Sequence, residues 1–174
     1  MGGPFFKHIY KDNNKLLLTT GVDFVFQNQS LEADDVIAIS KKYLRDKSPE
    51  LPIYIIANDH DYLQLLDYKT EIYNFQNKNL RESQKVFPEA DKNLFFKIVL
   101  GDKSDNIMPV FKKCGPKTCL NYYNDKNLFN QQLNIQPESR ERYILNETII
   151  SFKSIPQELQ DEVLINYKDI LEKI

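Results

Sequence analysis

Three short runs of this chain concentrate carboxylates: Glu32-Ala33-Asp34-Asp35, Asp59-His60-Asp61 and Asp102-Lys103-Ser104-Asp105. Each stands at the end of an apolar run. Like charges brought close together repel, so a fold that gathers them needs bound cations, raised pKa values or separation in space. Hard divalent cations choose oxygen ligands, so the pattern points to Mg²⁺ or Mn²⁺. The third cluster leads into Asn106-Ile107 and then Lys112-Lys113-Cys114-Gly115-Pro116-Lys117-Thr118, a basic, glycine-containing turn suited to a phosphate backbone. Metal beside phosphate suggests phosphodiester chemistry. The two-metal route needs several carboxylates holding a pair of ions roughly 3.5–4 Å apart, one near the attacking water and one near the leaving oxygen.

Plainer explanations exist for each run. Acids in a first helical turn are favoured by the helix dipole, and Ser30 or Leu31 would precede such a turn. Three acids within four residues exceed what capping needs. Lysines in a loop are often simply solvated, but Lys112, Lys113 and Lys117 follow directly on an acid cluster.

The elements that would position these residues read as an α/β portion followed by a helical one. Val22–Phe26 alternates like a strand. A helix is expected over Glu32–Leu44, with Val36, Ile37 and Ile39 on its apolar face. Pro52–Ala57 is near-continuously apolar, as a strand buried on both sheet faces would be, and it delivers Asp59 and Asp61 at its carboxyl end. In open α/β sheets ligands bind at such ends. Tyr62–Leu66 reads as a short helix, Thr70–Phe75 as the next strand and Gln76–Asn79 as a turn. From Pro88 onward helices dominate: Asp91–Leu100, stopped by Gly101, then 116–123, 128–133, 138–152 and 156–171. A short helix at Gly3–Tyr10 and an apolar Leu16-Leu17-Leu18 run precede all of this. The expected fold is thus α/β, a partial and mostly parallel sheet with flanking helices (residues 1–87), followed by an all-helical region (residues 88–174).

Bulk properties restrict the classes. The chain has 174 residues, enough for a real core, and 41% hydrophobic and 28% charged residues are ordinary for a soluble globular protein. A net charge of −2 is not that of a wholly electrostatic DNA binder, but acidic metal ligands lower the total while the lysines cluster locally. Cys114 and Cys119 flank a turn in a way that disfavours a disulfide and fits a reducing compartment. No zinc quartet can be assembled from them with His8 and His60. No apolar run approaches a membrane span and the start lacks a secretory pattern, so an intracellular, soluble protein is expected.

The order of the clusters is more specific than any one of them. The series Glu32-Ala33-Asp34-Asp35-Val36-Ile37-Ala38, Asn58-Asp59-His60-Asp61-Tyr62-Leu63-Gln64-Leu65-Leu66 and Gly101-Asp102-Lys103-Ser104-Asp105-Asn106-Ile107 leading to Gly115-Pro116-Lys117-Thr118 resembles the 5′-to-3′ exonuclease and flap endonuclease family. That resemblance implies a metal-dependent nuclease with two Mg²⁺ or Mn²⁺ ions. Glu32, Asp34, Asp35, Asp59, Asp61, Asp102 and Asp105 would be the catalytic metal ligands. Residues 107–118 would form the family's helix–three-turn–helix, with Lys112, Lys113, Gly115, Lys117 and Thr118 contacting DNA that carries 5′ ends, flaps or junctions. Asn146–Pro156 is similar to the family's trailing helical segment.

Departures from the pattern carry their own expectations. Lys113 stands where the family usually has glycine, and Met108-Pro109 where Pro-Gly or Pro-Pro is commoner, so a modified turn is expected with DNA binding retained. In the family, a strand ending in a ligand Asp, a second Asp beside a basic residue and a helical arch precede the Glu-Ala-Asp-Asp helix. About thirty residues stand there in this sequence, and Asp23 is in the wrong order to replace the missing ligand. The expectation is therefore a split-gene product, a truncated reading frame or a divergent relative, a split form having a complementing N-terminal nuclease fragment as partner. The alternative is a catalytically inactive DNA-binding subunit or remnant. An unrelated α/β phosphatase or receiver-type domain would leave the Gly101–Thr118 segment unexplained.

Overall fold

The computed structural model describes Thr19 and residues 21–174. The expected helix at Gly3–Tyr10 and the Leu16–Leu18 run lie outside these residues. Helix α1 spans Ala33–Lys47. Its start lies later than Ser30 or Leu31: Glu32 is the cap, and its backbone N–H donates to the Asp35 carboxylate at 3.2 Å in a capping box. Strands β1 (Ile53–Ile56) and β2 (Thr70–Tyr73) pair in parallel, Ile53 opposite Thr70 and Ile56 opposite Tyr73. A 3₁₀ turn over His60–Leu65 begins the crossover between them. The remaining helices are α2 (Ala90–Leu100), α3 (Pro116–Asn124), α4 (Lys126–Ile135), α5 (Pro137–Ile150) and α6 (Gln157–Leu171).

Three apolar clusters hold these elements. Ile55 and Ile72 meet Ala38, Leu63 and Leu66 between the sheet and α1. Phe95 and Val99 of α2 pack with Val110, Cys119, Phe129 and Leu133 under the helical region. Val163 of α6 returns to Val36 and Ile39 of α1, so α6 closes over α1. Among the described residues no helix is long and apolar enough to cross a membrane, and both cysteines are free.

Two expectations are corrected. Val22–Phe26 is irregular rather than a strand. Phe26 meets the Tyr167 ring of α6 edge-on at 4.7 Å, and the Gln27 N–H donates to the Tyr167 hydroxyl at 2.8 Å, so the alternation serves docking on a helix. Nor is β1 buried on both faces: Tyr54 is 63% and Ile56 69% exposed. Its isoleucines at 53 and 55 face the core, while the opposite face is bare among the described residues.

The turn after α2 is built for one residue type. Gly101 has φ 73°, and a Cβ there would lie 2.4 Å from the Ile107 carbonyl oxygen. Asp102 and Ile107 then exchange backbone bonds of 3.0 and 2.7 Å, closing a tight loop that presents Asp102 through Asn106. The buried Asn146 side chain of α5 donates to Ile98 O at 2.9 Å and Met108 O at 2.8 Å, fixing both ends of that loop.

Candidate metal and nucleic-acid site

Each acid cluster sits at a place where the backbone changes direction. The capping box puts Glu32, Asp34 and Asp35 at the first turn of α1. Beyond β1, Asp59 caps the 3₁₀ turn by accepting the Asp61 N–H at 2.9 Å, which aims Asp61 toward α2. The Gly101 loop supplies Asp102 and Asp105. Glu32, Asp34, Asp35, Asp61 and Asp105 line one cavity of about 550 Å³. Asp61 also lines the adjoining cavity with Asp102 and Lys97. Asp59 lines neither, but its charge reaches Asp61 and Tyr62. Chain segments seventy residues apart therefore converge on one region.

At the centre of the third group is a residue the sequence reading missed. Lys97 of α2 contacts Asp61, lies 2.9 Å from Asp102 Oδ2 and 3.9 Å from Asp105 Oδ2, and its side chain is only 16% exposed. A signal was available: Lys97 interrupts the apolar run Leu94–Leu100, and a charge on such a face demands a partner.

The ionisation of these groups follows from their surroundings. Burial pushes the Asp61 carboxyl up, against the lowering effect of Lys97, and the charges of Asp59 and Asp34 add to the rise. Burial also raises Asp35, only partly offset by its bond to Glu32. Asp102 is held well below the usual carboxylate range by the Ser104 hydroxyl and by Lys97. Burial works against the Lys97 charge, but bonds to Asp61 and Asp102 outweigh it and raise the pKa. Tyr62, buried beside four aspartates, is pushed up to about 12. The region is thus overloaded with negative charge, and one ammonium only partly neutralises it.

Carboxylate oxygens suit a hard divalent cation, and the ammonium of Lys97 shows that a cation is accommodated there. Among the described residues no three His, Cys, Asp or Glu side chains form a ready-made cage. The carboxylates of Asp61, Asp102 and Asp105 turn instead toward Lys97.

The basic segment lies at the start of α3. Lys112, Lys113, Gly115 and Lys117 are exposed and Thr118 is half-buried. Gly115 is the N-cap, makes no side-chain cap bond, and is followed by Pro116 at the first helical position. The first-turn amides of Lys117 and Thr118 are therefore without intrahelical partners, the arrangement that favours an anion. Gly115 has φ −97°, and a Cβ there would meet nothing within 4 Å. Its own fold therefore does not demand glycine.

By sequence, no protein family and no curated protein matches this chain. Solved structures do resemble it. A mutant of the bacteriophage T5 5′-exonuclease superposes with a TM-score of 0.73 at 23% identity, covering 96% of this chain and 76% of that one. The T5 flap endonuclease in a pseudo-enzyme–product complex with DNA and metal ions gives 0.70 at 21% identity, covering 97% and 69%. The T5 5′-exonuclease with bound zinc gives 0.67 at 22%, covering 96% and 69%. The chain shares the fold of these nucleases.

Proposed function

We propose that this protein is a divalent-metal-dependent DNA nuclease of the 5′-to-3′ exonuclease and flap type. The observation that carries the reading is the convergence of Glu32, Asp34, Asp35, Asp61, Asp102 and Asp105 on two adjoining cavities in a nuclease fold. Those residues, with Asp59 behind Asp61, would hold Mg²⁺ or Mn²⁺. When bound, such ions supply an activated water and stabilise the departing oxygen.

The chain's own groups do the rest. Lys97 keeps Asp61 and Asp102 ionised and pointed at one place. The exposed lysines and free amides at the start of α3 would hold duplex phosphates and so set the register of the strand against the carboxylates. This divides the labour at Phe87–Pro88: the α/β part supplies Glu32 to Asp61, the helical part supplies the grip and the Asp102 loop.

The test is cleavage of a 5′-flapped duplex in Mg²⁺, with duplex binding measured alongside. Asp61→Asn should lower cleavage at least about a hundredfold, on the order of a transition-state contact worth 2.7 kcal/mol or more, and leave binding within twofold. Cleavage by Asp61→Asn at the wild-type rate would remove the metal-site assignment.

A further inference from the structure

The smaller of the two cavities at the acid centre has a side that the carboxylates do not use. It encloses about 230 Å³, below the roughly 300–1,000 Å³ of pockets that hold drug-sized ligands, so it has room for one small ring system. Asp61, Lys97 and Asp102 form the wall it shares with the acid centre, and Leu63, Phe87 and Phe96 contribute an apolar lining.

The walls are fixed by the fold itself. Asn93 holds Phe87 by both backbone groups: the Phe87 N–H donates to Asn93 Oδ1 at 2.9 Å, and Asn93 Nδ2 donates to Phe87 O at 2.7 Å. The Phe96 ring meets the Phe87 ring at 4.6 Å with the planes tilted by 58°, and the Lys92 ammonium lies 4.4 Å from the centre of the Phe87 ring. Gln64 is equally engaged, donating to Ile150 O and accepting from the Phe152 N–H, each at 3.0 Å. The uncharged amides of the lining are therefore satisfied within the fold, and what remains open between them is apolar and aromatic. At the surface the lining ends in His60 and Lys85, both exposed and without a side-chain partner among the described residues.

A fixed aromatic slot that borders the acid centre on one side and a free ammonium on the other matches a flat ring joined to a phosphate. A bare anion would gain nothing from the rings, and a purely apolar ligand nothing from Lys85. We propose, building on the nuclease reading, that this cavity receives one nucleobase of the strand being cut, stacked on Phe96, with the adjacent phosphate on Lys85 and His60 facing the polar edge of the base. Every base has a π-face, so stacking of this kind tolerates any sequence. A base held in the slot limits how far the strand can advance past Asp61 and Asp102, and so sets the position of the cut.

Abasic substrates test it with and without cleavage. A 5′-flapped duplex is made with single abasic sites stepped through the nucleotides on either side of the junction; affinity is measured in Ca²⁺ and the cut is mapped in Mg²⁺. At one position the abasic site should weaken wild-type binding at least about fivefold, the lower end for a base stacked on an aromatic ring, and scatter the cut. Phe96→Ala should lose as much on the intact strand and show no further loss at that position. Phe96→Leu, which keeps an apolar side chain of similar bulk, should fold as the wild type does by circular dichroism and still lose the discrimination. Lys85→Ala, at an exposed position, should weaken binding of every substrate about equally and reduce the slope of log affinity against log salt by about 0.7–0.9. An equal response to every abasic position would overturn the proposal, even in a protein that cleaves DNA. So would a position-specific loss that both Phe96 variants leave intact, because the base would then be held elsewhere. Position-specific binding in Ca²⁺ that depends on Phe96, in a protein that does not cleave in Mg²⁺, would keep the slot and remove the nuclease reading. A folded protein that binds no flapped duplex would remove both.

Discussion

Replacing Lys97 with methionine keeps the length of the stem and removes the charge from the middle of three aspartates. Lys97 makes charge-assisted bonds to Asp61 and Asp102, and the side chains of all three are only 16–22% exposed. Bonds to charged groups contribute about 1.5–3 kcal/mol each, so the gross loss is about 3–6 kcal/mol. Relief is available to one partner. Asp61 already has a raised pKa, and taking up a proton costs only about 1.36 kcal/mol for each unit by which pH exceeds its pKa. The expected net loss at pH 7 in a metal chelator is about 3 kcal/mol, read from urea unfolding followed by circular dichroism. Saturating Mg²⁺ should reduce that loss to about 1 kcal/mol or less, because a bound divalent cation supplies the missing positive charge and stabilises only the folded state. The loss should also shrink as pH falls through the carboxylate range, where a protonated Asp61 needs no counter-ion. For the wild type the sign is opposite at the alkaline end: the contribution of Lys97 is full below the ordinary lysine value of about 10.4 and disappears as pH rises through its raised pKa. An equal penalty with and without Mg²⁺ would refute the claim that Lys97 and the metal neutralise the same carboxylates.

Asp67 is held well below the usual carboxylate range, burial being overcome by Lys41 at 2.6 Å and Arg45 at 3.0 Å. Asp67→Asn should lose about 2–3 kcal/mol at pH 7, and in denaturation curves the difference from wild type should fade as pH drops below about 3.9. Gly101→Ala forces a side chain into φ 73° against the Ile107 carbonyl, so a loss of about 2–4 kcal/mol in thermal unfolding is expected; a loss below about 1 kcal/mol would show that the turn relaxes freely. Lys117→Ala should weaken duplex binding about equally across sequences and reduce the slope of log affinity against log salt by about 0.9; an unchanged slope would take Lys117 off the phosphate path.

How much of this was legible beforehand depends on the range of the interaction. Helices were readable because their signals are local: Gly101 stops α2, Pro116 opens α3, and the apolar positions of Ala33–Lys47 repeat on one face. The acids could be chosen from their place at the ends of elements. What failed was non-local. The alternation at Val22–Phe26 is as suitable for resting on the Tyr167 ring as for a sheet. The run at Pro52–Ala57 promises burial on both faces, but burial depends on what covers a strand, and Tyr54 and Ile56 lie bare. Lys97 escaped because attention to carboxylates leaves out the cation that separates them, and its partners lie in two other segments, Asp61 beyond β1 and Asp102 with Asp105 in the loop after α2.

The candidate site is not the property of its acids alone. Asp102 can reach Lys97 only if the loop after α2 closes, and closure needs Gly101 to turn and Asn146 to hold. Asn146 lies on α5, forty residues downstream, and bonds one carbonyl before the loop and one after it. A buried amide that satisfies two carbonyls is costly to replace, since an apolar side chain would strand both acceptors. Helix α6 then packs Val163 between Val36 and Ile39, behind the turn that carries Glu32, Asp34 and Asp35. The helices that follow the last acid cluster thus fix the positions of the first and third clusters against the second. Charge gathered by three turns of the chain is held together by packing that begins only after the last of those turns.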